Sequence, residues 1–596
     1  MMKFWHGRAG YFIIAFILYL LFLCIGKCAF DISFRVEKLY LDLMLYVLIS
    51  YLIFKITKNK FRFFLLLTIF LLLINLPNLF KLAYFGAPIF IDDIFLAGDV
   101  FNILHGVYFV FFVLFFLLLI TGVIFAIDIK KVMKIDVLIL LLLLVLPVLL
   151  YPKYVANISE QRCGYTFWDQ AKNYKHMGSL LYLYQAFARY QFETPLAPSE
   201  EEVKKAWHDL EKVSISNETI VLPKEHFVKR NVYIVVLESF WDPSKLKEAN
   251  LSEDCFFPAF RKLIEEKNEN YVLSPEFGGK TANAEFEVLC GQPVTFGTGV
   301  IFQTSLHNDI ECLPRLLREE GYDVSSWQPN RKTFFNAEKS YEHIGFTNRF
   351  FKERFKYKDK NGPFLADKEL YETVLQYNNT IKNRPHLTYI MIVSGHWGYP
   401  LNKEHRQKFI KTNSKITEVN DYVNCVYYTS KEFIQFYETI KKDDPDAIVV
   451  VMGDHLPYLG KNFGAYVESK VLTSAISDLT PKMAVDYAST PLLVLDGKDG
   501  KVNVGRVPMY DIPHIILALL GYKKKGIFTR LKNRTDMIIR TYKNKNLVFS
   551  KKGGWIICNG DAKQKECLHA MIWSKAINII SRDLCIGEQF SEKLYE

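Results

Sequence analysis

The stretch IVVVMGDHLP, Ile448 to Pro457, sets a continuous apolar run directly before an acid and an imidazole, Asp454 and His455. An unbroken, β-branched run of this length reads as a strand buried on both faces. A turn facing solvent would more cheaply use Asn, Ser or Gly. The carboxylate and imidazole therefore mark this strand end as a place where something binds. Working outward, NVYIVVLE from Asn231, LTYIMIVSGH from Leu387 and TPLLVLDG from Thr490 are runs of the same kind. Helical stretches such as CLPRLLREEGY and TEVNDYVNCVYYTSKEFIQFYETIKK separate them, and YDIPHIILALLGY reads as a closing helix. Strands alternating with helices predict an α/β domain with a mostly parallel sheet.

In such sheets ligands sit at the carboxyl ends of the strands. Three of the four runs end there on Glu238, His396 and the Asp454–His455 pair. Two carboxylates and imidazole nitrogen suit one divalent ion, Mn²⁺ or Zn²⁺ before Mg²⁺. A nucleophile is offered by FGGKTANAEFEVLCG, where Thr281 follows Gly278, Gly279 and Lys280 at an expected helix start. The glycines allow close backbone approach, and Lys280 brings positive charge beside an anion. Thr281 could equally be a simple N-cap, with Glu285 one turn on. The two roles are compatible, because a helix N-terminus favours phosphate. A threonine hydroxyl is a weak nucleophile, and a metal ion lowers its pKa.

The chain has 596 residues, half of them hydrophobic and 23% charged, with a net charge of +11. That average hides two different parts. Gly10–Cys28, Leu39–Phe54, Phe63–Phe80, Val107–Ile127 and Val137–Tyr151 are each apolar enough to be read as a membrane span, the second weakened by Asp42. Lys3 and Arg8, the loop KITKNKFR with Lys55, Lys58, Lys60 and Arg62, and DIKKVMK with Lys130, Lys131 and Lys134 then share one side. The loop PIFIDDIFLAGD on the other side is acidic. The positive-inside bias puts the basic loops in the cytoplasm and everything after Tyr151 outside. Eight cysteines fall in that outer part (Cys163, Cys255, Cys290, Cys312, Cys425, Cys558, Cys567 and Cys585), so disulfides are permitted, with pairing undetermined and no zinc spacing. No compact basic module argues for nucleic acid.

VVLESF, GGKTANAEFEVL, VSGHWGYP and VVMGDH, in this order after the apolar segments, resemble the lipoteichoic acid synthase type of phosphoglycerol transferase, within the alkaline phosphatase/sulfatase superfamily. The resemblance covers the spans and roughly residues 225–525. It implies a metal site at Glu238, Thr281, Asp454 and His455, with Thr281 as nucleophile and His396 as a phosphate contact; Lys280 joins by its charge. It also implies a two-step transfer through a phospho-threonine ester. Where that family carries a Trp and an Arg for glycerol phosphate, this chain offers Phe335 and Ala337, with Arg331 or Lys332 as substitutes for the lost cation. LPYLG after GDH lacks the family's serine. The formylglycine setting of sulfatases is absent from KTANAE.

The expected architecture is an N-terminal five-helix transmembrane bundle (residues 1–151), a connector (152–225), an extracytoplasmic sulfatase/alkaline phosphatase-like α/β domain (226–525) and a basic, Cys-containing extension (526–596) read as a solvated face. The expected function is phosphoglycerol transfer from phosphatidylglycerol to a cell-envelope glycan or glycolipid at a bacterial cytoplasmic membrane, with no nucleic-acid partner. Phosphoethanolamine transfer to lipid A or a surface glycan is the alternative of the same chemistry. A catalytically inactive membrane scaffold is the alternative of another class.

Overall fold

The computed structural model describes residues 9–85, 88–89, 91–94, 106–165, 170–193, 196–213, 221–294, 299–531, 537–542, 545–550, 554–558 and 564–594. The basic tail at Lys3 and Arg8 and half of the acidic loop PIFIDDIFLAGD lie outside them. The chain divides into two compact units, Met1–Thr194 and Pro195–Glu596.

In the first unit all five apolar segments are helical: Ala9–Phe30, Tyr40–Ile56, Lys60–Phe85, Gly106–Ala126 and Ile135–Leu150. Only Gly10–Phe30 and Lys60–Ala83 among the described residues are long and apolar enough to cross a membrane. A third span exists if Ile135–Leu150 and Pro152–Cys163, bent by 93°, act as one. This count is smaller than the expected five, and for Tyr40–Ile56 and Ile135–Leu150, of 17 and 16 residues, length is the reason. Tyr40–Ile56 gives about 26 Å of helix against a hydrocarbon core of about 30 Å. Asp42, the polar flaw in that helix, is buried and fully used. Its Oδ1 accepts the Leu180 and Leu181 amides at 2.8 Å and its Oδ2 accepts the Tyr19 hydroxyl at 2.8 Å. The carboxylate thus caps the Ser179–Glu193 helix. That helix lies in the stretch expected as a connector. Tyr174, Met177, Leu181 and Tyr182 are instead buried in the first unit's core.

The second unit contains a nine-stranded sheet among the described residues. Its strands are β1 (Val232–Leu237), β2 (Asn270–Leu273), β3 (Asp323–Trp327), β4 (Asn348–Phe350), β7 (His386–Met391), β8 (Ile448–Gly453), β9 (Ser489–Asp496), β10 (Gly500–Lys501) and β11 (Arg506–Pro508); β5 (Lys360–Asn361) and β6 (Phe364–Leu365) form a separate hairpin. The order is β11-β2-β9-β8-β1-β7-β3-β4, with β10 on β9. All four expected runs are strands, and every residue of β1, β7, β8 and β9 is buried. Each such side chain contributes up to about 1.5–3 kcal/mol. β8, β1, β7, β3 and β4 run parallel, whereas β9 is antiparallel to both β8 and β2. This reversal explains why TPLLVLDG ends on no ligand: its carboxyl end points away, and its start lies at the ligand end. There the Thr490 hydroxyl donates to the Gly453 carbonyl at 2.7 Å.

The C-terminal stretch differs from the solvated face expected of it. Met537–Tyr542, Lys545–Ser550 and Gly554–Cys558 form an antiparallel sheet (β12, β13, β14), followed by the helix Lys565–Ile586. Arg540, one of the basic residues behind that expectation, is fully buried and paired with Glu287 through two hydrogen bonds of 2.5 and 2.8 Å. The Lys565–Ile586 helix also packs on Glu200–Val213, whose start is a capping box between Ser199 and Glu202. Disulfides join Cys290 to Cys312 and Cys558 to Cys567, while Cys163, Cys255, Cys425 and Cys585 are buried free thiols.

Candidate active site

Register brings the strand ends together. Leu237 pairs with Gly453 and Val236 with Met391, so the residues that follow, Glu238 and Asp454, emerge side by side, with the Ser394–His396 turn on the other flank. The helix Thr281–Cys290 then points its first residue at them. The Thr281 hydroxyl donates to Asp454 Oδ2 at 2.8 Å and lies 3.4 Å from Glu238 Oε2. Lys280 is the N-cap, in a left-handed conformation with φ of 60°. Thr281 is therefore not a capping residue: its hydroxyl is committed across the site, and no side chain caps this helix. Glu285 does not cap either. It is buried and accepts the hydroxyls of Tyr389, at 2.9 Å, and Tyr341.

Glu238, Asp454 and His455 offer one ligand atom each within 4.8 Å of one another, all buried. His455 Nδ1 lies 3.0 Å from the Leu456 carbonyl, which makes Nδ1 the protonated nitrogen and leaves a lone pair on Nε2. That Nε2 is buried with no hydrogen-bond partner, 3.1 Å from Asp454 Oδ2 and 3.8 Å from Glu238 Oε1. A lone pair facing two carboxylates repels them, and a cation between the three removes the conflict. Burial pushes the Asp454 carboxyl up to about 7, although the Thr281 hydroxyl and the Ser239 and His455 amides hold it down. Burial, then the neighbouring Asp454 charge, also raises Glu238. Such a donor set fits a divalent ion.

Two contributors were not singled out from the sequence. Ser239 donates its amide to Asp454 Oδ1 and its hydroxyl to Glu238 Oε1, each at 2.7 Å, from a left-handed backbone with φ of 53°. Tyr422, on the long helix Thr417–Asp443, donates to the Ser239 carbonyl at 2.8 Å and holds that conformation. The acid–serine pair in VVLESF was the available signal for Ser239; Tyr422 had none, being one aromatic among many. The remaining expected residues are placed as follows. His396 is half-buried in the turn after β7, close enough for its charge to act on Glu238. Phe335 is half-buried, left-handed with φ of 51°, its ring 4.1 Å from that of Phe334. Ala337 is buried at a helix start. Arg331 and Lys332 are exposed, and Lys332 closes on Glu338 at 3.1 Å.

Residues 230–517, which include β1, β7, β8, β9 and the strand-end cluster, match the family model described as Sulfatase. The chain thus carries a sulfatase-family domain of the alkaline phosphatase superfamily. Among curated proteins it is 28% identical over 364 residues to a Rhizobium meliloti (strain 1021) protein named for cyclic beta-1,2-glucan modification, covering 60% of this chain and 54% of that one. It is 25% identical over 358 residues to the lipoteichoic acid synthase of Staphylococcus aureus (strain USA300), covering 55% and 53%. The chain spans about half the length of the curated relatives it matches. The solved phosphoglycerol transferase GacH of Streptococcus pyogenes, in complex with sn-glycerol-1-phosphate, superposes with a TM-score of 0.49 at 18% identity, over 67% of this chain and 97% of that one.

Proposed function

We propose that this chain is a membrane-anchored transferase that moves phosphoglycerol from phosphatidylglycerol to a cell-envelope glycan through a phospho-threonine ester on Thr281. The observation that carries the reading is the Thr281 hydroxyl, aimed at Asp454 at 2.8 Å inside a buried Glu238–Asp454–His455 cluster. The relatives named for lipoteichoic acid synthesis and glucan modification support a phosphoester donor and a glycan or glycolipid acceptor. The apolar N-terminal helices support anchoring in a bacterial cytoplasmic membrane, with the sulfatase-family domain outside and the five helical segments together forming the membrane part.

In the first half-reaction Thr281 Oγ1 forms a bond to phosphorus as the bond to the diacylglycerol oxygen breaks. The Thr281 proton passes to Asp454 and on to the departing oxygen. In the second, an acceptor hydroxyl forms the bond to phosphorus, the Thr281 ester breaks, and Thr281 recovers a proton. The N-terminal amides of the Thr281–Cys290 helix, Lys280 and His396 bind the phosphoryl oxygens and orient the phosphorus. Glu238, Thr281, Asp454 and His455 would hold one divalent ion, Mn²⁺ by preference, which supplies Lewis-acid stabilisation of the phosphoryl charge.

The test is intact mass and peptide mapping after incubation with Mn²⁺ and mixed phosphatidylglycerol and phosphatidylethanolamine vesicles, together with diacylglycerol release. A phosphoglycerol adduct on Thr281 is expected. A phosphoethanolamine adduct would replace the donor, a change the buried Ala337 makes specific to test. The absence of both an adduct and diacylglycerol release would sink the transferase reading.

A further inference from the structure

The turn that carries His396 is anchored from behind by a carboxyl that the transfer scheme does not use. Ser394, two residues before His396, is buried, and its Oγ donates to Asp367 Oδ1 at 2.7 Å, at the start of the helix Asp367–Thr380. On the other side Gly395 rests on the Glu238 carbonyl, with no room for a β-carbon between them. The His396 amide donates to the Val393 carbonyl at 3.2 Å, and the Tyr399 amide to the His396 carbonyl at 3.0 Å. The turn is thus held between Asp367 behind it and the end of β1 in front.

Asp367 is 2% exposed, in a niche with more acids than cations. Arg406 spends its three nitrogens on the other two acids. Its Nε donates to Glu432 Oε1 at 2.6 Å, and its terminal nitrogens donate to Asp359 at 2.9 and 2.7 Å. The second oxygen of Glu432 accepts the Lys368 amide at 2.8 Å, and His405 flanks Asp359. Among the described residues Asp367 is hydrogen-bonded only to hydroxyls, those of Ser394 and Thr429, and the neighbouring Cys425 and Tyr371 bring no positive charge. With three carboxyls around one guanidinium, the acid that lacks a cation is the one that keeps a proton. Burial, then the Glu432 charge, raises the Asp367 carboxyl against the pull of Ser394, Arg406 and Thr429. Ionising it, with its proton lost to solvent, sets a second buried charge beside Glu432. The niche relieves that repulsion by shifting the helix start, and Ser394 with it. We propose that Asp367 is a positioning residue for the transfer: its protonated carboxyl holds the Ser394–His396 turn against the end of β1 and so sets His396 toward the phosphoryl oxygens, and its ionisation releases the turn. This rests on the transferase reading above and adds a regulation of the same site.

The experiment follows diacylglycerol release by the full chain from phosphatidylglycerol vesicles with Mn²⁺, from about pH 6 to about pH 10. Beside it, hydrogen exchange is measured on the peptide over Ser394–Tyr399 and corrected for the intrinsic effect of pH. In the wild type kcat/KM is expected to fall about tenfold to a lower plateau as pH rises, through KM with kcat within about twofold, while the turn begins to exchange. Asp367→Asn, whose amide stays uncharged, is expected to match the wild type at the acid end within about twofold and to show neither the fall nor the exchange. Ser394→Ala keeps the carboxyl and cuts its tie to the turn, so it is expected on the lower plateau at every pH; it carries the test should Asp367→Asn not fold. A variant profile that follows the wild type overturns the proposal. So does a wild type with no alkaline fall, or one whose exchange does not change with pH. A wild type that releases no diacylglycerol at any pH overturns the transferase reading instead, and exchange alone then decides whether Asp367 holds the turn.

Discussion

Gly395 lies so close to Glu238 that a β-carbon on it would stand 2.2 Å from the Glu238 carbonyl oxygen. On the opposite flank, a β-carbon on Gly453 would stand 2.0 Å from the Phe240 carbonyl. The end of β1 is therefore clasped between two backbones, and the position of the Glu238 carboxylate depends on both. Gly395→Ala must push that end away. It is expected to cost about 1–3 kcal/mol of stability and, by displacing Glu238, about a hundredfold in transfer rate. Thermal unfolding and diacylglycerol release measure the two effects separately.

Removing the Thr281 hydroxyl isolates the chemistry from the fold. Thr281→Ala is expected to lower transfer by at least about a thousandfold and to leave no mass adduct. The melting temperature should fall by only a few degrees, because a single hydrogen bond contributes about 1 kcal/mol. Transfer within tenfold of wild type would remove Thr281 from the role of nucleophile.

The lone pair of His455 Nε2 makes metal dependence a stability effect as well as a catalytic one. Dialysis against chelator is expected to abolish transfer and lower the melting temperature, with Mn²⁺ restoring both. At a hundredfold excess over its Kd an ion adds about 2.7 kcal/mol to folding. His455→Ala should lose most of this Mn²⁺-dependent rise in calorimetry. A melting temperature indifferent to chelator and Mn²⁺ in the wild-type protein would count against a metal at this cluster.

Glu285 sets a pH dependence apart from the cluster. Burial raises its carboxyl from 4.5 to about 7, against the pull of the Tyr341 and Tyr389 hydroxyls. A carboxyl raised on folding favours the folded state while it is protonated. Its stabilising contribution is thus fully present below pH 4.5 and disappears as pH rises through about 7. Glu285→Gln is expected to flatten this decline, gaining about 3 kcal/mol relative to wild type above pH 8. Urea unfolding of the two proteins at pH 5 and pH 9 reads the difference; parallel curves would contradict the assignment.

Arg540→Met would leave Glu287 buried without its counter-charge, at a cost of about 3–5 kcal/mol. The double variant Arg540→Met, Glu287→Gln is expected to recover most of that loss. Denaturant unfolding of the single and double variants forms the cycle. Additive losses would show that the C-terminal sheet gains its hold on the Thr281–Cys290 helix elsewhere.

The runs NVYIVVLE, LTYIMIVSGH, AIVVVMGDH and TPLLVLDG were legible as strands because continuous β-branched burial leaves its mark on local composition. The convergence of Glu238, Thr281, Asp454 and His455 was legible because acids and imidazoles at apolar strand ends have no cheap structural reason to be there. Strand direction was not: a fully buried strand has the same composition whether it runs with or against its neighbour, so the reversal of β9 came only from pairing. Nor was the placement of the Thr281 hydroxyl, since the same residue can cap a helix or face across the strand ends, and only the fold sets it 2.8 Å from Asp454. Arg540 read as one more cation in a basic stretch, and Asp42 as a flaw in an apolar helix. Each was decided by a partner far along the chain, Glu287 for one and the start of the Ser179–Glu193 helix for the other. Composition and periodicity record how much of a residue is buried, but the charge or hydrogen bond that makes a buried polar group tolerable is supplied by whatever the fold brings beside it.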